Sequence, residues 1–222
     1  MPYSGRCRTP LVLLAVATLT DNTDARATRR RVLAECAEAL TAAAETSASP
    51  NANLIRQGAA RFAEAVATAP DLPVAASLVP VLESRAELGQ GPADLPIARS
   101  IAAAADLFPW SASSRGTDGG TEIALGLLDQ VVDFGTFSLN TSEGSGLIVG
   151  LAYVGANCVY PEHNHAPQEL YLVISGQSRW RFGGSAEYVT LAPGDTLYNN
   201  PRDIHGLVAG DAPVLALYVL WA

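Results

Sequence analysis

Two sequence regimes share this chain, and the change from one to the other constrains the fold more than any single residue does. From about residue 28 to 107 the sequence is Ala-rich; Val32, Leu33, Cys36 and Leu40 recur at helical spacing, and Leu54, Ile55, Phe62 and Val66 form a second such set. Pro50, Pro70, Pro73, Pro80, Pro92 and Pro96 punctuate the region. About four helices of roughly 10–18 residues are therefore expected, each with one apolar stripe. Residues 111–120, rich in Ser, Gly and Asp, read as a loop. Beyond it, residues 147–154, 169–175, 178–182, 187–191 and 214–220 are short runs of β-branched and aromatic residues, several separated by turn signals at Gly183-Gly184 and Pro193-Gly194-Asp195. The chain is expected to be mainly β: an antiparallel barrel or sandwich carrying an N-terminal helical region. The expected boundaries are an uncertain segment over 1–25, helices over 26–120 and the barrel over 121–222.

Size and composition support a packed core: 222 residues, 49% of them apolar and only 16% charged. All fourteen basic residues are arginine, so lysine Schiff-base chemistry, a pyridoxal-phosphate anchor and a P-loop are excluded. The net charge is −8, and residues 1–31 hold six Arg against Asp21 and Asp24, which leaves the rest of the chain at −12. So acidic a body is a poor partner for nucleic acid. Cys7, Cys36 and Cys158 lie far apart with no C-x-x-C pair, which points to a reducing compartment and a cytoplasmic location. Arg6 and Arg8 ahead of the apolar run 11–19 resemble a short secretory signal, but no small-x-small cleavage site follows cleanly before Asp21, Asn22 and Asp24. A cleaved signal is thus the lesser alternative. No charge-free apolar run reaches the length of about 18 residues that a membrane span needs.

The chemistry concentrates in the β half. The three histidines, His163, His165 and His205, all fall there beside turn residues. One histidine alone would be read as a core or surface residue; three of three at strand ends near a carboxylate reverse that preference. His163, His165, Glu169 and Tyr171 share parity, so wherever the chain is extended their side chains project to one face. A carboxylate inside a barrel is unfavourable unless it is paired or bound to metal. Imidazoles converging on Glu169 point to one divalent transition metal, with Fe(II), Zn, Mn, Co and Ni all compatible with nitrogen and carboxylate donors.

The run Tyr160-Pro-Glu-His163-Asn-His165-Ala-Pro-Gln-Glu169-Leu-Tyr171 through Gly176 resembles the first cupin motif, H-x-H-x3-E-x6-G, and Pro193-Gly194 through His205 resembles the second; together they lie within 155–206. Three features depart from the pattern: the upstream Gly is displaced to Gly155, Asp203 stands where a Gly follows Pro201, and Ala209 stands where an Asn follows the last His. No ligand position is lost. Within the cupins, Tyr171 two residues after Glu169, Tyr160 three residues before His163 and the Ala-rich extension resemble the dimethylsulfoniopropionate lyases.

That resemblance implies a double-stranded β-helix barrel and cleavage of dimethylsulfoniopropionate into dimethyl sulfide and acrylate. It implies a metal held by His163, His165, Glu169 and His205, with Tyr171 as the base. A free tyrosine is protonated at neutral pH, and proximity to a divalent cation favours its phenolate. The sulfonium end of the substrate suits aromatic faces. Tyr160, Trp180, Tyr198, Tyr218 and Trp221 are available in the β half; Tyr160, adjacent to the metal motif, is the first candidate, followed by Tyr198, Trp221 and Trp180, and ordinary barrel packing is the competing reading for each. A cupin dioxygenase and a non-catalytic metabolite-binding cupin are the alternatives. The expected partner is a small zwitterionic molecule, with neither nucleic acid nor membrane, and the sequence allows a homo-oligomer.

Overall fold

The computed structural model describes residues 23–68, 88–108, 110–112, 123–127, 139–140 and 146–222. Helices α1 (Thr23–Thr46), α2 (Ala52–Thr68) and α3 (Ile97–Ala103) precede a short 3-10 turn at Ala105–Leu107. The stripe residues behave as their spacing dictates: Val32, Leu33, Cys36 and Leu40 of α1 and Ile55 and Phe62 of α2 are buried, while Leu54 and Val66 pack at the margin of the same core. At 24 residues α1 is longer than expected, and at 7 α3 is shorter. Pro50 bounds the first helix, but no proline stands between residues 23 and 46 to end it sooner. Pro70, Pro73 and Pro80, Cys7, the apolar run 11–19 and most of the expected loop 111–120 lie outside the described residues.

Among the described residues eleven strands follow: β1 (Trp110–Ala112), β2 (Ile123–Leu127), β3 (Leu139–Asn140), β4 (Gly146–Val154), β5 (Val159–His163), β6 (Gln168–Ser175), β7 (Ser178–Arg181), β8 (Val189–Leu191), β9 (Thr196–Asn199), β10 (His205–Ala209) and β11 (Val214–Trp221). One sheet has the order β1-β2-β4-β11-β6-β9, with β3 also paired to β4; the other has the order β5-β10-β7-β8. Every pairing is antiparallel. Residues 110–112 correct the expectation of helix or loop there: the strand is held by its pairing with β2, a long-range contact that local propensity does not carry.

The larger sheet is buried on both faces, which is why β6 and β11 read as nearly continuous apolar runs. Leu147, Val149, Leu151, Leu170, Leu172, Ile174, Leu215, Leu217 and Val219 face the helices in one core. Their neighbours Ala152, Val154, Tyr171, Val173, Ala216 and Tyr218 face inward toward Tyr160, Trp180 and Leu207 of the smaller sheet, in a second core. The helical region is thus one wall of the larger sheet's packing, with α2 against β9 and β11 and α3 against β6.

Two local devices shape the inner compartment. In the pairing of β5 with β10, His163 opposes His205 and Tyr160 opposes Leu207, so Pro161 and Glu162 face the single residue Gly206: a β-bulge. The extra residue lets Tyr160 and His163, three apart, share the inner face. A Cβ at Gly206 would lie 2.9 Å from the Tyr160 carbonyl oxygen. Pro161 is accommodated because β5 is an edge strand and its missing N–H leaves no inner ladder bond unmade. The tight connections at Gly176, Gly183-Gly184 and Gly194 all have positive φ, as the turn residues in the sequence require.

Candidate active site

His163 ends β5, His205 opens β10 directly opposite it, and His165 lies in the short connection to β6. The rings cluster, with centroids of His163 and His205 4.2 Å apart, His165 and His205 4.9 Å, and His163 and His165 6.0 Å. Each Nδ1 is 2.9 Å from a backbone carbonyl two residues away: Pro161 for His163, Pro167 for His165, Asp203 for His205. A carbonyl only accepts, so each Nδ1 carries the proton and donates it, leaving Nε2 as the nitrogen that can bind. One ring nitrogen from each of the three lies within 4.8 Å of the others.

Glu169 stands at the start of β6 with its side chain inside the barrel. Its Oε2 is 3.2 Å from Nε2 of His165 and 3.0 Å from Nε2 of His205. Burial pushes this carboxyl's pKa up, but the contacts with His165 and His205 outweigh it and bring the group down to about 2. The buried Nε2 of His205 makes no well-directed hydrogen bond despite that proximity. With the Nδ1 protons committed to carbonyls, the Nε2 atoms of His165 and His205 can meet the carboxylate only with a second proton on the ring, which is what lowers the Glu169 pKa, or with a metal cation between them. The residues fit a divalent metal on that ground: three imidazole nitrogens and one carboxylate, each imidazole oriented through its far nitrogen.

Tyr171, two residues along β6, faces the same inner core with its hydroxyl within reach of the Glu169 carboxylate. Burial, then the negative charge of Glu169, hold the phenol well above its ordinary pKa, so without a metal it is a proton donor. Its ring centroid is 6.5 Å from that of His205, 5.1 Å from Trp180 and 6.1 Å from Tyr218; Tyr160 lies 4.6 Å from His163. Tyr160, Tyr171, Trp180 and Tyr218 therefore line the inner core beside the imidazoles.

Tyr198 and Trp221 do not, and this corrects the sequence expectation for both. They stack on each other at 6.1 Å on the opposite face of the sheet, in the core shared with the helices. Tyr198 donates to Oε1 of Gln168 at 2.5 Å, and Trp221 lies over Gly58 of α2, where a Cβ would be 2.6 Å from its ring. Register decides this: Tyr198 opposes Leu170 and Trp221 opposes Gln168, each one residue out of step with Glu169 and Tyr171. The same register brings in Tyr218, one of the aromatics available in the β half, and Asn199, which the sequence did not single out. Tyr218 opposes both Tyr171 and Gly150, whose missing side chain leaves room for the phenol. Asn199 opposes Glu169. Only the pairing of distant strands could have found Asn199.

An antiparallel barrel of two sheets with three imidazoles and a carboxylate gathered inside it defines this protein as a cupin. The comparison with known families goes further. The dimethylsulfoniopropionate lyase family profile matches residues 46–216, from the end of α1 through α2, α3 and the barrel up to the start of β11, and the chain belongs to that family. Among curated proteins, dimethylsulfoniopropionate lyase DddQ of Ruegeria pomeroyi is 31% identical over 71 residues, covering 32% of this chain and 34% of the relative. The match thus spans about a third of that relative's length. Two solved structures share the fold over nearly the whole chain. One, from work on the DMSP lyases RdDddP and RnDddQII, is 24% identical with a TM-score of 0.58, covering 87% of this chain and 94% of that one. The other, DMSP lyase DddQ from Ruegeria pomeroyi DSS-3, is 22% identical with a TM-score of 0.53, covering 88% and 92%.

Proposed function

We propose that this chain is a carbon–sulfur lyase that cleaves dimethylsulfoniopropionate to dimethyl sulfide and acrylate by β-elimination, with Tyr171 as the base. The observation that carries the reading is the place of Tyr171, two residues from Glu169 on the inner face of β6 with its ring centroid 6.5 Å from that of His205, while Glu169 is itself in contact with His165 and His205. His163, His165, Glu169 and His205 would hold one divalent transition metal, for which Fe(II), Zn, Mn, Co and Ni are all suitable. Such an ion, when bound, supplies Lewis-acid polarisation of a carboxylate and the positive charge that favours phenolate at Tyr171.

The protein's own groups do the rest. The imidazole end of the compartment suits the substrate's carboxylate, and the aromatic faces of Tyr160, Trp180 and Tyr218 suit its soft dimethylsulfonium group, at roughly 0.5–2 kcal/mol per contact. The Tyr171 oxygen takes the proton from the carbon next to the carboxylate. The released electron pair forms the double bond of acrylate and the C–S bond breaks, so the sulfur leaves with its bonding pair as neutral dimethyl sulfide. Tyr171 then returns its proton to water. A neutral leaving group needs no general acid, and none is assigned. Among the described residues no helix is long and apolar enough to cross a membrane, and neither Cys36 nor Cys158 forms a disulfide, in keeping with the proposed cytoplasmic location.

Headspace gas from metal-loaded protein and dimethylsulfoniopropionate tests the reading: equal amounts of dimethyl sulfide and acrylate are expected. Tyr171→Phe is expected to keep its metal and to lose rate by about 10²–10⁴-fold. Oxygen uptake with no sulfide gas would transfer the protein to the dioxygenases, and unchanged turnover in Tyr171→Phe would remove the base.

A further inference from the structure

Asn199 is buried to 1% exposure on β9, and its position in the pairing with β6 is directly across from Glu169. Cross-strand partners in an antiparallel pair put their side chains on the same face at close range. Tyr198 before it faces the helices, so Asn199 faces inward, beside the carboxylate that meets His165 and His205. The amide orientation is not arbitrary. The backbone N–H of Gly183, in the turn after β7, donates to Asn199 Oδ1 at 3.0 Å, which fixes the oxygen toward the smaller sheet and leaves Nδ2 as the other end. That Nδ2 is fully buried and has no hydrogen-bond partner.

Leaving a buried donor unpaired is unfavourable, and such groups in folded proteins are rare enough that each asks for an explanation. Here the amide lacks an acceptor, and Glu169, its cross-strand partner, is in contact with the equally buried Nε2 of His205, which makes no directed hydrogen bond. A carboxylate brought into this compartment would supply the acceptor. We propose that Asn199 Nδ2 donates a hydrogen bond to the substrate's carboxylate, making it a substrate-binding residue of the elimination. The assignment rests on the lyase reading above. Its chemistry is specific: a hydrogen bond to an anion is stronger than one between neutral groups, and the enolate-like charge that builds on those oxygens during proton removal strengthens it further. Asn199 would therefore contribute both to holding the substrate and to the rate.

The test uses metal-loaded wild type, Asn199→Ala and Asn199→Asp. The aspartate keeps an acceptor for the Gly183 N–H while removing the donor, so it separates loss of the donor from loss of the turn's anchor. Three quantities are read: metal content, the KM and kcat for sulfide release, and the affinity for acrylate, used as a carboxylate probe, by titration calorimetry. The expected result is unchanged metal content, a KM raised about tenfold in Asn199→Ala and more in Asn199→Asp, and acrylate affinity weakened by a matching factor. KM and acrylate affinity within about twofold of wild type in either loaded variant would overturn the assignment. A fall in metal content would overturn it too, by making the amide a support of Glu169 instead of a donor to substrate. Failure of the wild type to release sulfide would instead sink the lyase reading, in an arm that contains no substitution; the acrylate titrations would still judge Asn199.

Discussion

At the scale of single residues the site is governed by which nitrogen of each imidazole is engaged. Three backbone carbonyls take the Nδ1 protons, so it is at the Nε2 atoms that a further proton or a metal cation compensates the charge of Glu169. Glu169 bears on acid stability. Its carboxyl titrates near 2 in the folded protein against an ordinary value of 4.5, so it favours the folded state above about 4.5, and that contribution is lost as pH falls toward 2. Acid unfolding of metal-free protein followed by circular dichroism is expected to show this loss between those limits. Glu169→Gln, which cannot ionise, is expected to be less stable at neutral pH and to have a flatter profile across the same window. Parallel profiles for the two proteins would contradict the depressed value.

Among the elements, the contact of α2 with β11 is the tightest test of how helices and barrel fit. Gly58 is buried in the middle of α2, where glycine is a poor helix former, by about 1 kcal/mol relative to alanine. A Cβ there would approach the Trp221 ring to 2.6 Å and Leu170 to 3.0 Å. Overpacking typically costs about 1–3 kcal/mol, which exceeds the propensity gain. Gly58→Ala is therefore expected to lower the melting temperature in a thermal scan, the reverse of what helix propensity alone predicts. A rise would mean that Trp221 can move aside freely. The bulge at Gly206 is the corresponding device on the site's own side, since it alone puts Tyr160 and His163 on one face.

For the molecule as a whole, a metal bound as proposed should be part of the folding free energy, because its proposed donors come from β5, the connection to β6, β6 itself and β10, which only the folded chain brings together. An ion at about 100 times its dissociation constant stabilises by about 2.7 kcal/mol, and a domain of this size shifts by roughly 2–4 °C per kcal/mol. Chelation is thus expected to lower the melting temperature by roughly 5–10 °C, a loss reversed by adding the ion back. His205→Ala should abolish the response, whereas Tyr171→Phe should retain it. A melting temperature indifferent to chelator in protein shown to hold metal would remove the ion from the fold's support.

The sequence by itself determined the candidate cluster, because His163, His165, Glu169 and Tyr171 lie close along the chain and share parity, which gives them one face wherever the chain is extended. It also determined the helical and β regimes and the turns at Gly183-Gly184 and Gly194, since stripes, proline punctuation and positive-φ glycines are local signals. What only the tertiary structure decided is which aromatics join the site: Tyr160 through a bulge, Tyr218 through its pairing with Tyr171, and Tyr198 and Trp221 lost to the helix side. It likewise decided that Trp110–Ala112 is a strand and that Asn199 sits across from Glu169. The reason is the same in each case: the face a strand residue occupies depends on its register against a distant strand, a shift of one residue reverses it, and register is set by the packing of two cores.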